Sequence, residues 1–251
     1  VIPFKKSKNC KYIVTIHDIL FNDFPDDFSF FYRLTKNLFF YLSAKRCDFL
    51  LTVSEYSKQK ISQHYKVDGN SIFVTPNGVS EDFFENYSKK ESRELIKGRH
   101  SVEKYILYIS RIEPRKKQSL LLDAYLREKL WEKDFCLVFI GSNTLKSRFF
   151  NQLESLDEHA STKIKWIEQV DYACLKHFLN GAEIFVYPSK AEGFGIPPLE
   201  AAAMCTPVLC SHVTAMKDFD FFEPYTFDPD CVVEFQRKLI NILNNINNID
   251  V

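Results

Sequence analysis

A parallel α/β fold in two successive series is predicted by three observations. Short β-branched apolar runs alternate with longer helical stretches along nearly the whole chain, which is the pattern of strands in a parallel sheet covered by helices on both faces. A polar, charged interval at residues 79–103 separates the two series. The apolar run IFVYPSK leads directly into residues 192–200, EGFGIPPLE, where two of only seven glycines and a Pro-Pro pair mark a strand, a loop and a helix start.

In order, residues 12–16 are a β-branched run ending at His17-Asp18 and read as a buried parallel strand. Residues 28–46 read as a helix carrying Arg33, Lys36, Lys45 and Arg46. Its aromatics (Phe30, Phe31, Phe39, Phe40 and Tyr41) surround most of the helix. They fit a helix buried in the domain, the favoured reading, or a face laid on a membrane surface. Residues 49–53 (FLLTV) read as a second buried strand, with Ser54 as N-cap of a helix to about residue 65. Residues 72–75 form a third strand, closed by the turn Pro76-Asn77-Gly78.

Residues 79–103 read as a linker plus a short helix, anchored by Phe83 and Phe84. The second series runs strand 105–109, helix 117–130, strand 136–140 ending at Gly141, helix 145–156, strand 164–167 and helix 173–180. Strand 183–187, the glycine loop, helix 198–204, strand 207–210 and helix 232–245 complete it. This series makes a whole Rossmann-like domain, whereas the first supplies only about three of the usual six or so strands. The expected division is therefore residues 1–78, the C-terminal part of one such domain, and residues 79–251, all of a second. The Asn-rich tail is expected to fray.

Composition narrows the function classes. A hydrophobic fraction of 45% over 251 residues is ample for a buried core. Thirty-three basic and thirty-three acidic residues cancel, so no global field favours nucleic acid. Seven widely spaced cysteines with no C-x-x-C predict free thiols and a cytoplasmic setting rather than disulfides or a zinc site. No run approaches the roughly 18 apolar residues of a spanning helix, and VIPFKKSKNC lacks the order of a signal peptide. The sequon at Asn86 is then fortuitous.

Three clusters carry chemistry. In EGFGIPPLE, Gly193 and Gly195 allow close approach of backbone to a ligand, and the following helix start presents N–H groups to an anion. Glu192 stands at the loop's start and Glu200 one turn into the helix. Two carboxylates on one loop-helix unit fit a glycosidase pair poorly, since that pair must flank a scissile bond. The alternative to a ligand role is a pair of surface carboxylates at a helix N-terminus. Arg111 and Lys116, in SRIEPRKK after a strand, are fixed cations of the kind phosphoryl oxygens need, or else a solvated basic turn. His17 follows a parallel strand, at the end where open α/β sheets bind ligands; the alternative is a core or capping histidine. Asp18 either orients His17 or caps the next element.

EGFGIPPLE resembles the E-x7-E motif of the retaining GT-B glycosyltransferases of glycosyltransferase family 4. SRIEPRKK is similar to the family's R-x4-K pattern, and T-I-H-D, V-S-E-x-S-K and T-P-N-G-V stand in the family's order, so the resemblance covers about residues 12–245. It implies GT-B architecture: two Rossmann-like domains facing a cleft, the N-terminal one incomplete in this chain. It implies a retaining transfer of a sugar from a nucleotide-diphosphate sugar to a glycan or lipid-linked acceptor, in surface polysaccharide or glycoconjugate synthesis. The setting implied is cytoplasmic, with peripheral contact to the inner face of the membrane through the aromatic helix. By matching positions, Arg111 and Lys116 would hold the diphosphate, Glu200 the ribose, and Glu192 the sugar hydroxyls. The amides of Gly193, Phe194, Gly195 and Ile196 would meet sugar and phosphate. His17 would sit near the anomeric region, making His17 and Glu192 the catalytic candidates. Neither a metal nor another cofactor is expected.

Two departures stand out. The family's glycine before Thr-Pro is replaced by Cys205, and TAMKDF at residues 214–219 replaces a more usual small-residue, Pro-Glu segment. A second reading keeps the same fold without turnover, as a truncated nucleotide-sugar-binding or partner-dependent subunit. A nucleotide-sugar epimerase or phosphorylase of this fold fits the His17 and Arg111 contexts less well.

Overall fold

The computed structural model describes residues 6–7, 9–143 and 148–245. The chain divides into two compact units. The first comprises Val1–Gly78 with Ala191–Gly195 and Thr214–Asp218; the second comprises Val79–Lys190, Ile196–Val213 and Phe219–Val251.

The first unit contains strands β1 (Ile13–Thr15), β2 (Phe49–Thr52) and β3 (Ile72–Val74), with helices α1 (Leu20–Asp23), α2 (Phe30–Arg46) and α3 (Glu55–Tyr65). The strands are parallel, in the order β1-β2-β3, with Val14 opposite Leu50 and Leu50 opposite Ile72. Those residues turn to one face, where Leu50 and Ile72 pack with Ala44, Ile61 and Tyr65. Ser54 caps α3 as predicted, accepting from the Ser57 N–H.

Two expectations fail here. β1 and β2 are not buried on both faces: Ile13, Phe49 and Phe73 are exposed, because helices cover only one side of the three strands among the described residues. Nor is α2 a buried helix. It buries only Ser43 and Ala44 and leaves Phe30, Phe31, Leu34 and Leu38 more than half exposed. A helix apolar all round has one stripe against its neighbours, and nothing in this chain covers the rest. The short elements α1 and Pro25–Asp27 were not foreseen.

The second unit is built on a six-stranded parallel sheet. Its strands are β4 (Tyr105–Ile109), β5 (Cys136–Ile140), β6 (Ile164–Ile167), β7 (Ile184–Tyr187), β8 (Val208–Ser211) and β9 (Thr226–Phe227). Their spatial order is β6-β5-β4-β7-β8-β9, the doubly wound arrangement, with its direction reversing between β4 and β7. The helices are α4 (Lys89–His100), α5 (Gln118–Arg127), α6 (Arg148–Glu154), α7 (Glu158–Thr162), α8 (Tyr172–Gly181), α9 (Ile196–Ala203) and α10 (Val232–Asn245). On one face Ile106, Tyr108, Leu137, Phe139, Ile184 and Val186 pack with Leu121, Phe149, Phe235 and Leu239 from α5, α6 and α10. On the other, Tyr105 donates to the Phe178 carbonyl of α8 at 2.8 Å.

The expected linker helix is the twelve-residue α4, capped by Ser88 and packed on α8. The start of the helix expected from residue 145, and most of the tail, lie outside the described residues. β9 and α7 escaped sequence reading because two- and five-residue elements carry no period. Cys205, just after α9, has φ +54°, so the residue standing where a glycine would be easy does adopt the left-handed conformation.

Candidate functional site

The candidate residues divide between the two units. In the second, the loops after β4 and β7 open side by side at the point where strand order reverses; the Lys190 N–H donates to the Arg115 carbonyl at 2.8 Å. This is where doubly wound sheets bind ligands. The β4 loop passes through Pro114–Lys116 as one 3-10 turn, and Lys117 (φ 49°) starts α5. Lys116 is buried with only 7% of its surface exposed. Its Nζ donates to the Tyr187 hydroxyl at 3.1 Å and lies 5.5 Å from that ring's centre. A lysine ammonium taken this far out of water is costly unless anions or dipoles meet it. Arg111 by contrast has an exposed side chain, 3.3 Å from Glu113 Oε1. The buried Glu113 carboxylate also meets Arg115 Nη2, through Oε2 at 3.1 Å. One carboxylate thus braces two guanidinium groups beside Lys116, leaving the cluster net cationic.

The β4 loop is itself shaped by β5. Gly141 has φ +150°, and a Cβ there would lie 1.9 Å from the Ser110 carbonyl oxygen. Ile112 N–H donates to the Ser142 carbonyl at 2.9 Å, so the segment leading to Arg111 is laid directly against the end of β5.

After β7 the chain reaches Gly195, whose φ of +109° favours glycine, and enters α9 at Ile196. Pro197 and Pro198 fall in the first turn, where a missing N–H costs little. Glu200 lies one turn in and is partly buried; removal from water pushes its carboxyl above the usual carboxylate range. The sign follows from which state holds the proton. Above the ordinary value of about 4.3, the folded chain retains a proton that the unfolded chain gives up. Stability therefore falls as pH rises from there through the raised value, and the cost of the buried charge persists at neutral pH. Glu200→Gln should accordingly raise Tm at pH 7 and not near pH 4, while weakening any ligand that Glu200 holds. Melts at the two pH values check this; a lower Tm at pH 7 would contradict it.

In the first unit, His17 and Asp18 follow β1. The His17 side chain is exposed and its carbonyl accepts from Thr52 Oγ1 at 3.2 Å. Asp18 proves to be a cap, its Oδ1 accepting from the Leu20 N–H at 3.0 Å. The stretch Ala191–Gly195 belongs to this same unit. Glu192 is buried, Gly193 lies against Asp18, and Phe194 is partly buried. His17 and Glu192 are therefore each one residue from the Asp18–Gly193 contact.

Sequence reading missed four contributors. Tyr187 meets Lys116, and Glu113 braces the arginines. Thr214, with φ +53°, accepts the Glu192 N–H at 2.9 Å, so the divergent TAMKDF segment helps to seat the loop. Ser57 donates to the Gly193 carbonyl. Only Ser57 had a signal, through its place in V-S-E-x-S-K. Among the described residues no cluster of His, Cys, Asp or Glu could hold a metal ion, and no helix is long and apolar enough to cross a membrane. All seven cysteines are free.

Comparison with known proteins agrees with this geometry. The chain is 30% identical over 230 residues to the O-antigen chain mannosyltransferase RfbU of Salmonella typhimurium, covering 91% of this chain and 60% of that protein. It is 29% identical over 200 residues to O-antigen chain mannosyltransferase B of Escherichia coli, covering 78% and 51% respectively. The chain thus spans about half to three-fifths of the length of these relatives. Among solved structures, Thermosynechococcus elongatus sucrose-phosphate synthase superposes with a TM-score of 0.76 at 19% identity, over 95% of this chain and 60% of that one. Anabaena Alr3699/HepE in complex with UDP-glucose gives 0.74 at 17%, over 94% and 63%. Residues 2–83 match Glycosyltransferase Family 4, and residues 90–245, more than half of the chain and all of the site in the second sheet, match Glycosyl transferases group 1. The chain belongs to the glycosyl transferases group 1 family, with the GT-B type of fold.

Proposed function

We propose that the chain carries the donor site of a retaining glycosyltransferase that moves a sugar, mannose by analogy with its relatives, from a nucleoside-diphosphate sugar to a glycan or lipid-linked acceptor of a surface polysaccharide. The observation that carries this is the buried ammonium of Lys116 at the β4–β7 switch point, beside the Arg111–Glu113–Arg115 cluster. Arg111 and Lys116 would bind the diphosphate and stabilise the charge that grows on it as the glycosidic bond breaks, which is electrostatic preorganisation rather than proton transfer. The Gly195–Ile196 helix start would add backbone N–H groups. Glu200 would accept from the ribose hydroxyls and Glu192 from those of the sugar, with Gly193 and Phe194 amides nearby. His17 would support the developing positive charge at the anomeric carbon. With these cations in place the reaction would need no metal. The exposed aromatic face of α2, edged by Lys45 and Arg46, fits peripheral contact with an anionic lipid surface.

Thermal melts of the chain with GDP-mannose, UDP-glucose and ADP-glucose test the reading. One donor at about a hundred times its Kd should stabilise the fold by about 2.7 kcal/mol. The shift should vanish in Glu200→Ala. A folded chain indifferent to every nucleotide sugar would overturn the proposal.

A further inference from the structure

We propose that Ser54 and Ser57 are positioning residues for Glu192, acting through the Gly193 carbonyl; the role given to Glu192 in sugar recognition above underlies this. Ser54 Oγ donates to that carbonyl at 2.8 Å and Ser57 Oγ at 3.3 Å. Both serines are almost fully buried, at 3% and 1% exposure. A carbonyl oxygen has two lone pairs, and here a hydroxyl meets each.

The pair is fixed before the loop arrives. Ser54 ends β2 and caps α3, its Oγ accepting from the Ser57 N–H at 3.1 Å. Accepting that N–H leaves the hydroxyl proton of Ser54 free to point outward at Gly193. The opposite side of Gly193 is closed by Asp18, since a Cβ on the glycine would come within 2.6–2.9 Å of Asp18 side-chain atoms. Asp18 is held in turn by Leu20. The Glu192–Gly193 peptide is therefore gripped at three points: two hydroxyls on its far carbonyl, Asp18 against its glycine, and Thr214 Oγ1 on the Glu192 N–H at 2.9 Å. A glutamate on a glycine-flanked loop would otherwise sample many directions, and holding its peptide fixes where the side chain starts.

The test separates the grip from the donor reading. Ser57→Ala removes one donor and leaves the α3 cap. Ser54→Ala/Ser57→Ala removes both, and Ser54→Thr keeps cap and donor. Amide hydrogen exchange of residues 191–196 in the ligand-free chain should quicken by about tenfold in the double variant, less in Ser57→Ala, and stay near wild type in Ser54→Thr. Binding of GDP-mannose against GDP, and of UDP-glucose against UDP, then reads the sugar contact alone. The preference for the sugar conjugate should fall about tenfold in the double variant with affinity for the bare diphosphate unchanged, a split that general loss of stability does not produce. Unchanged exchange at residues 191–196 would overturn the grip. Quickened exchange with an unchanged sugar preference would overturn its role in positioning Glu192. A wild-type chain that exchanges as expected yet binds neither conjugate would remove the donor reading, and the positioning role with it.

Discussion

Gly141→Ala should destabilise the second unit by at least about 4 kcal/mol, lowering Tm by roughly 8–16 °C for a chain of this size. The added methyl would stand 1.9 Å from the Ser110 carbonyl oxygen and 2.6 Å from its carbon, and both belong to backbone that cannot swing aside. The φ of +150° adds strain of about 1–3 kcal/mol for any residue with a Cβ. Relief requires the ends of β4 and β5 to part, breaking the bond from Ser110 N–H to the Ile140 carbonyl and that from Gly141 N–H to the Ile167 carbonyl. Because Arg111 follows Ser110 directly, nucleotide binding should fail with the fold. Thermal melts and circular dichroism of the variant decide this; a Tm within 2 °C of wild type would refute it.

Lys116→Met should do the reverse, removing the ligand site and leaving the fold. The ammonium sits 93% out of solvent, so replacing it with an apolar chain of similar length relieves a desolvation cost. The loss is the bond to the Tyr187 hydroxyl. Tm should stay level or rise. Affinity for a nucleotide sugar should drop by roughly ten- to a hundredfold, the worth of a charge-assisted hydrogen bond to phosphate. Titration calorimetry beside a melt separates the two effects. A variant that melts much lower would mark Lys116 as structural, and one that binds normally would exclude it from the diphosphate site.

Much of this was legible in the sequence, for identifiable reasons. β4, β5 and β6 fall at the residues read for them because buried parallel strands are continuous apolar runs bounded by polar turns. The α3 start was readable because Ser54 caps it in the ordinary way. The glycine loop was readable because Gly193 and Gly195 have separate reasons to be glycine, a close approach to Asp18 and a positive φ. What escaped depended on contacts across the chain. Nothing local shows that Tyr187 will meet Lys116, 71 positions away, or that Thr214 will accept the N–H of Glu192. The misreading of α2 has the same root: the sequence shows that a helix is apolar all round, but not whether other residues cover it.

The most direct measurement compares a nucleoside diphosphate with its monophosphate, GDP against GMP and UDP against UMP, by calorimetry on the wild-type chain and Lys116→Met. A diphosphate site at the β4–β7 switch point predicts at least about tenfold tighter binding of one diphosphate over its monophosphate, abolished in the variant with the fold intact. Equal affinity for the two in the wild type, or discrimination that survives loss of the Lys116 ammonium, would contradict it.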